Sequence, residues 1–163
     1  MPTATYDLIA SNVLGSSAAS VTFSSIPATY RDLVLVVSAI GATSPQGGLQ
    51  FNSDTGSNYA WFRASGNGSS ASSFSNTSDY ARAMSLAEFS SGVGGINVVQ
   101  IFDYATTDKH KSVLSRANGS STAVEIIASR WANTAAITSI TYLSGSTRQF
   151  DSGSSFYLYG IAS

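Results

Sequence analysis

The sequence predicts an all-β protein, an antiparallel β-sandwich or barrel, on three observations. Short runs rich in β-branched and aromatic residues recur along it, among them DLVLVVSAI at 32–40, INVVQIFDY at 96–104 and AVEIIASRW at 123–131. Clusters of Gly, Ser, Asn and Asp separate these runs at regular intervals, the punctuation of sandwiches and barrels. No amphipathic helix of ordinary length can be found. At 163 residues the chain suffices for one domain, 1–163, with a full two-layer core.

In chain order, Thr5–Ala10 and Ala19–Ser24 alternate briefly on either side of a turn at Leu14–Ser17. They read as a short edge strand or N-terminal arm (residues 1–12) and a hairpin partner. Ile26–Tyr30, with Pro27, turns the chain into Asp32–Ile40, where Leu33, Leu35 and Val37 form one apolar face and Val34, Val36 and Ile40 another. Gly41–Gly48 is a loop. Leu49–Asn52 and Tyr59–Ala64 flank the turn Ser53–Asn58. From Ser65 to Tyr80 the chain is nearly all Ser, Gly and Asn, with Phe74 as the one anchor, and composition favours a mobile loop. Arg82–Phe89 carries a weak strand pattern and Ser90–Gly95 a turn. Ile96–Tyr104 is a strand with Val98, Phe102 and Tyr104 on one face and Val99 and Ile101 on the other. Lys111–Asn118 and Ala123–Trp131 follow, joined at Asn118-Gly119, the strongest hairpin signal present. Ile137–Leu143 and Phe156–Ile161 close a set of about ten strands.

Two of these strands are apolar on both faces. In Phe156–Ile161, Phe156 and Leu158 point one way while Tyr157, Tyr159 and Ile161 point the other; Asp32–Ile40 behaves alike. A two-sheet sandwich buries only one face of each strand. An uncovered second face would be a contiguous apolar patch of the kind monomers avoid, and Met1–Tyr6 has too few apolar residues to mask it. Val34, Val36, Tyr157 and Tyr159 are therefore predicted at a contact with another copy of the chain.

Composition excludes several function classes. Charged residues make up 10% of the chain against the usual ~25%, and they are scattered singly around a net charge of -1. No basic stripe exists to neutralise phosphates, so nucleic acid is not an expected partner. There is no cysteine for a disulfide or thiolate metal site. The start lacks a signal-peptide pattern, and the longest strongly apolar run, Leu33–Val37, is far too short to span a bilayer. The expectation is a chain made in the cytoplasm with no membrane partner.

Chemistry is equally sparse. The single histidine, His110, sits in the charged turn Asp108–Lys111, with nothing to mark it as a triad member. Glu88, Asp103 and Glu125 fall in strand-like segments, where carboxylates are more often paired or solvated than catalytic. Asn52–Ser57 echoes a calcium loop, but Ser57 and Arg63 stand where Gly and Glu are needed, and an Asx-stabilised turn explains it better. No catalytic residue, cofactor or metal is expected, and the chain reads as not an enzyme. Trp61 and Arg63, beside a polar loop, are candidate glycan contacts; core filling is the favoured alternative for these aromatics.

Three stretches carry a resemblance: Tyr6–Ala10 (YDLIA), Val21–Leu35 (VTFSSIPATYRDLVL), and the closing AITSI at 136–140 with SFYLYGI at 155–161. Taken in order they resemble a family of tailed-bacteriophage virion proteins. The resemblance implies a jelly-roll-like sandwich and a structural role on the particle surface. A capsid decoration or cement protein is favoured, bound to the major capsid protein and self-associated, with a trimer preferred. The alternative it leaves is a tail-fibre or receptor-binding domain recognising host surface glycans. It assigns no catalytic residue.

Overall fold

The computed structural model describes residues 5–41, 47–84, 93–118, 123–145 and 148–162. It is an antiparallel, jelly-roll-like β-sandwich of two unequal sheets. One sheet has eight strands, in the spatial order β1 (Tyr6–Val13), β12 (Ser155–Ile161), β3 (Asp32–Ala39), β8 (Gly95–Phe102), β9 (Lys111–Asn118), β10 (Val124–Trp131), β5 (Tyr59–Gly66) and β6 (Ala71–Ser78). The other has four: β2 (Ser20–Phe23), β11 (Ile140–Leu143), β4 (Gly47–Phe51) and β7 (Ala81–Met84).

The core lies between the sheets and is built by period-two alternation. Leu33, Leu35, Val37, Val99, Ile101 and Val113 face inward from the large sheet, and Val21, Phe23, Leu49, Phe51 and Ile140 meet them from the small one. Two aromatic clusters fill its ends: Phe51, Tyr59 and Trp131, and Tyr142, Phe150 and Phe156, with centroid separations from 5.2 to 6.3 Å. A polar seam fixes β7 over the large sheet. Asn97 donates to Ser115 Oγ at 2.6 Å and to the Ala83 carbonyl at 3.1 Å, and accepts from the Tyr142 hydroxyl at 2.9 Å. Fully satisfied, such a buried network fixes one arrangement of the sheets. Glycine is required where rings press on the backbone: a Cβ on Gly160 would lie 2.2 Å from the Tyr30 ring.

Several connections differ from the sequence reading. Alternation alone cannot say which sheet a strand joins, and neighbours in sequence here belong to different sheets. The segment at 5–10 pairs with β12 as an edge strand, whereas that at 19–24 pairs with β11, so the two are not a hairpin. Likewise β4 and β5 lie in opposite sheets, and the turn at 52–58 carries the chain between them. The serine-rich stretch is not a loop throughout: β6 pairs with β5 along eight residues, turning at Asn67–Ser70, where Asn67 Oδ1 accepts from Ser69 and Ser70 N–H. An edge strand exposed along its length needs backbone partners rather than apolar side chains, so composition hides it. Tyr104 has left β8 after Asp103, at φ 48°, and is buried in a corner with its hydroxyl donating to the Pro27 carbonyl. The weak strand at 82–89 is present as β7; its residues 85–89, Glu88 among them, lie outside the described residues, as does Gly119.

Candidate functional site

The sandwich has two layers, so no further layer of the described residues covers the outer face of the eight-stranded sheet. Its register sets outward side chains in rows across the strands. Tyr159, Val34, Gln100, Leu114, Ala128 and Phe62 form one row, continued at the edge by Leu8. Tyr157, Val36, Val98, Arg116, Ile126 and Ala64 form the next, and Ser38, Ile96, Asn118 and Val124 the third. Eight large apolar residues exposed to solvent lie on this face: Tyr6 (56%), Leu8, Val13, Phe62, Ile96, Leu114, Val124 (59%) and Ile126. Among the described residues, the other exposed large apolar side chains are Phe74 and Val93. Such concentration on one face differs from the single scattered exposures usual on a protein surface.

The sequence-predicted contact residues belong to this field. Val36, Tyr157 and Tyr159 are half-buried side by side on β3 and β12, and Val34 is 8% exposed, already shielded by its neighbours. The N-terminal strand widens the apolar field instead of capping it, since Tyr6 and Leu8 point outward as well. Among the hollows of this surface, two lie around Arg116. One of about 110 Å³ is lined by Tyr6, Val34, Val98, Leu114, Arg116 and Ile126, and one of about 320 Å³ by Ile96, Val98, Arg116, Asn118 and Val124. Arg116 borders both. Neither Arg116 nor Arg130 is in an ion pair among the described residues. Sequence reasoning missed β9 and β10 as part of this face; the adjacent pair Ile126-Ile127, one outward and one inward, was the available signal.

The candidate glycan contacts have other surroundings. Trp61 is 6% exposed, its ring against Phe74 (5.5 Å) and under the Arg82 guanidinium (5.2 Å), so it offers no stacking face; Arg63 is half-buried near Phe74. The exposed ring there is Phe74. Asp54, in the calcium-loop look-alike, spends its carboxylate on Trp131 Nε1 (2.7 Å), Asn58 Nδ2 and Gly56 N–H. The indole bond foremost holds its pKa below the usual value. His110 is exposed in its turn, while Glu125 is buried on the inner face and Asp103 sits in a corner bonded to Lys109.

The fold and this face define a class: an antiparallel sandwich with one uncovered, largely apolar sheet. No protein-family model matches the chain, and no curated protein matches it. Among solved structures it is similar to alginate lyase Aly36B, with a TM-score of 0.38 and 12% identity over 93% of this chain and 77% of that one. A mutant of that lyase in complex with alginate tetrasaccharide gives a TM-score of 0.31 and 9% identity over 82% and 70%. The expectation that the chain is not an enzyme is corrected by this finding, because the structures found are those of an enzyme, and the expectation is withdrawn. At these TM-scores the likeness carries no activity to the present chain.

Proposed function

We propose that the protein is a structural component of a bacteriophage particle, most simply a capsid decoration protein whose open sheet face is covered on assembly. The observation that carries this reading is the apolar outer face of the eight-stranded sheet. Eight exposed apolar side chains, at about 25 cal/mol per Å² buried, make its coverage worth many kcal/mol. A sparsely charged chain has little to keep such a face apart from others in solution. The resemblance at 6–10, 21–35, 136–140 and 155–161 supports placing the partner on a virion. Binding only to the assembled lattice would stabilise that lattice by mass action. Recombinant protein is expected to bind expanded heads that lack it and to raise their disruption temperature; failure to bind heads would overturn the decoration reading.

A glycan-recognising role retains one supporting observation, the exposed Phe74 ring beside Arg63 on the overhanging β5–β6 hairpin. Its test is a glycan array with wild type and Phe74→Ala. Signal lost in the variant would support it, and a blank array would remove it.

A further inference from the structure

Among the described residues the two sheets end in four edge strands, and these are not protected alike. An edge strand offers unpaired N–H and carbonyl groups to other chains, and proteins blunt such edges with bulges, charges, proline or brevity. At one end of the eight-stranded sheet, β1 carries the acid Asp7 and a break in register between Leu8 and Ala10. The edges of the small sheet, β2 and β7, are four residues each. At the other end of the large sheet, β6 has none of these devices. Its eight residues, Ala71–Ser78, run in unbroken register with β5, hold no charge and no proline, and are exposed along nearly their whole length. No strand of the described residues takes its far side.

The hairpin shows which backbone groups of β6 are open. It closes with the Asn67 N–H donating to the Ser70 carbonyl at 3.2 Å. Bonded and non-bonded pairs alternate along an antiparallel ladder. Ser72, Phe74, Asn76 and Ser78 therefore bond to β5, while Ala71, Ser73, Ser75 and Thr77 turn their N–H and carbonyl groups away from it. The Thr77 N–H agrees, since it is taken by Asn76 Oδ1 at 2.8 Å and not by β5. We infer that β6 pairs antiparallel with β6 of a second copy, about a two-fold axis at Phe74, so that two eight-stranded sheets join edge to edge. An axis between residues would set an open position against a closed one. Of the axes through a residue, the one at Phe74 alone gives all four open residues an open partner: Ala71 meets Thr77 and Ser73 meets Ser75, each twice. Each such pair exchanges two bonds, about eight in all.

The side chains favour a second copy as the occupant. Phe74, the large apolar residue of β6, is 51% exposed, and the axis sets it directly opposite its own copy. That position is a non-bonded pair, where facing side chains stand closest and an aromatic pair gains most. A two-fold also brings every charge near the axis against its own copy, and β6 has none to repel. Arg63, across β5 on the Phe74 side, would stand three strand spacings from its mate, about 14 Å and beyond the Debye length. Paired residues point to the same side of a sheet, so the axis is perpendicular to it and the two open outer faces lie side by side. The result is a pair, where the resemblance favours a trimer.

Sedimentation of the full chain tests this. Wild type is expected at twice the chain mass. Ser75→Pro removes an N–H on the open side of β6 and leaves the bonds to β5 in place, so it should weaken the dimer at least tenfold. Phe74→Lys and Phe74→Glu each set like charges on the axis and should weaken it as much, while their equimolar mixture should restore it through a Lys–Glu pair. Each variant is confirmed folded by its thermal transition. If a Phe74 variant fails to fold, Ser75→Pro and Ser73→Pro, both altered on the open side, decide between them. A monomeric wild type would overturn the pairing and leave the edge to an extended segment of another protein. Proline variants that dimerise like wild type, or a folded Lys and Glu mixture that stays monomeric, would overturn it as well. Head binding plays no part in this test, so the pairing and the decoration reading fail separately.

Discussion

Asp54→Ala should remove the carboxylate to which the buried Trp131 indole donates. Trp131 is 1% exposed and donates to Asp54 Oδ2 at 2.7 Å, in the turn that carries the chain from β4 to β5. Leaving that N–H unpaired costs about 1–3 kcal/mol, and losing the bonds from Gly56 and Asn58 adds about 1. The expected destabilisation is about 2–4 kcal/mol, roughly 4–16 °C in Tm for a domain of this size. Urea denaturation followed by tryptophan fluorescence measures it, since Trp131 itself reports unfolding. Asp54→Asn keeps the acceptor and loses only the charge, so it should cost about half as much. Because the folded carboxyl titrates below its unfolded value of 3.8, its contribution is complete above that pH and is lost as pH falls through the folded value. The gap between wild type and Asp54→Asn should therefore close in acid. Asp54→Ala within ~0.5 kcal/mol of wild type would show that this bond does not hold the turn in place.

Two further outcomes follow from buried polar groups. Lys111 is fully buried and its ammonium donates to the carbonyls of Thr106, Lys109 and Thr134 at 2.6–3.1 Å, so Lys111→Met should strand three acceptors and cost about 2–4 kcal/mol in the same denaturation assay. Burial pushes Tyr59 up to about 12 and raises Tyr104 and Tyr142 as well. Above pH 10 the unfolded chain loses phenolic protons that the folded chain keeps, so stability should fall as pH rises from there, and Tyr59→Phe should soften that fall. Burial lowers Lys111, whose opposite effect, stability rising with pH, ends near 10.5.

What the sequence revealed depended on what alternation encodes. It encodes strand existence and face, so β3, β8, β10 and β12 were legible, as was the second apolar face at Val34, Val36, Tyr157 and Tyr159. It does not encode sheet membership, so β2 reads as the hairpin partner of β1, although the two are divided between the sheets. Nor does it reveal strands held by backbone alone, hence β6. The extent of the open face was hidden for a similar reason. Arg116 and Ile126 lie on strands whose alternation looks like ordinary half-burial, and only the register places them beside Val98 and Val36. Trp61 was ambiguous because an aromatic on an overhanging strand reads alike whether it stacks on a ligand or, as here, on Phe74 and Arg82.

Thiol labelling shows whether the outer face of the eight-stranded sheet is covered in the assembled protein. The chain has no cysteine, so Ile126→Cys places a single probe on that face and Thr22→Cys a control on the outer face of the small sheet. The first probe should react readily in dilute protein and become protected at least tenfold on self-association or on added heads, while the control reacts throughout. Equal reactivity of Ile126→Cys under all these conditions would contradict coverage of that face.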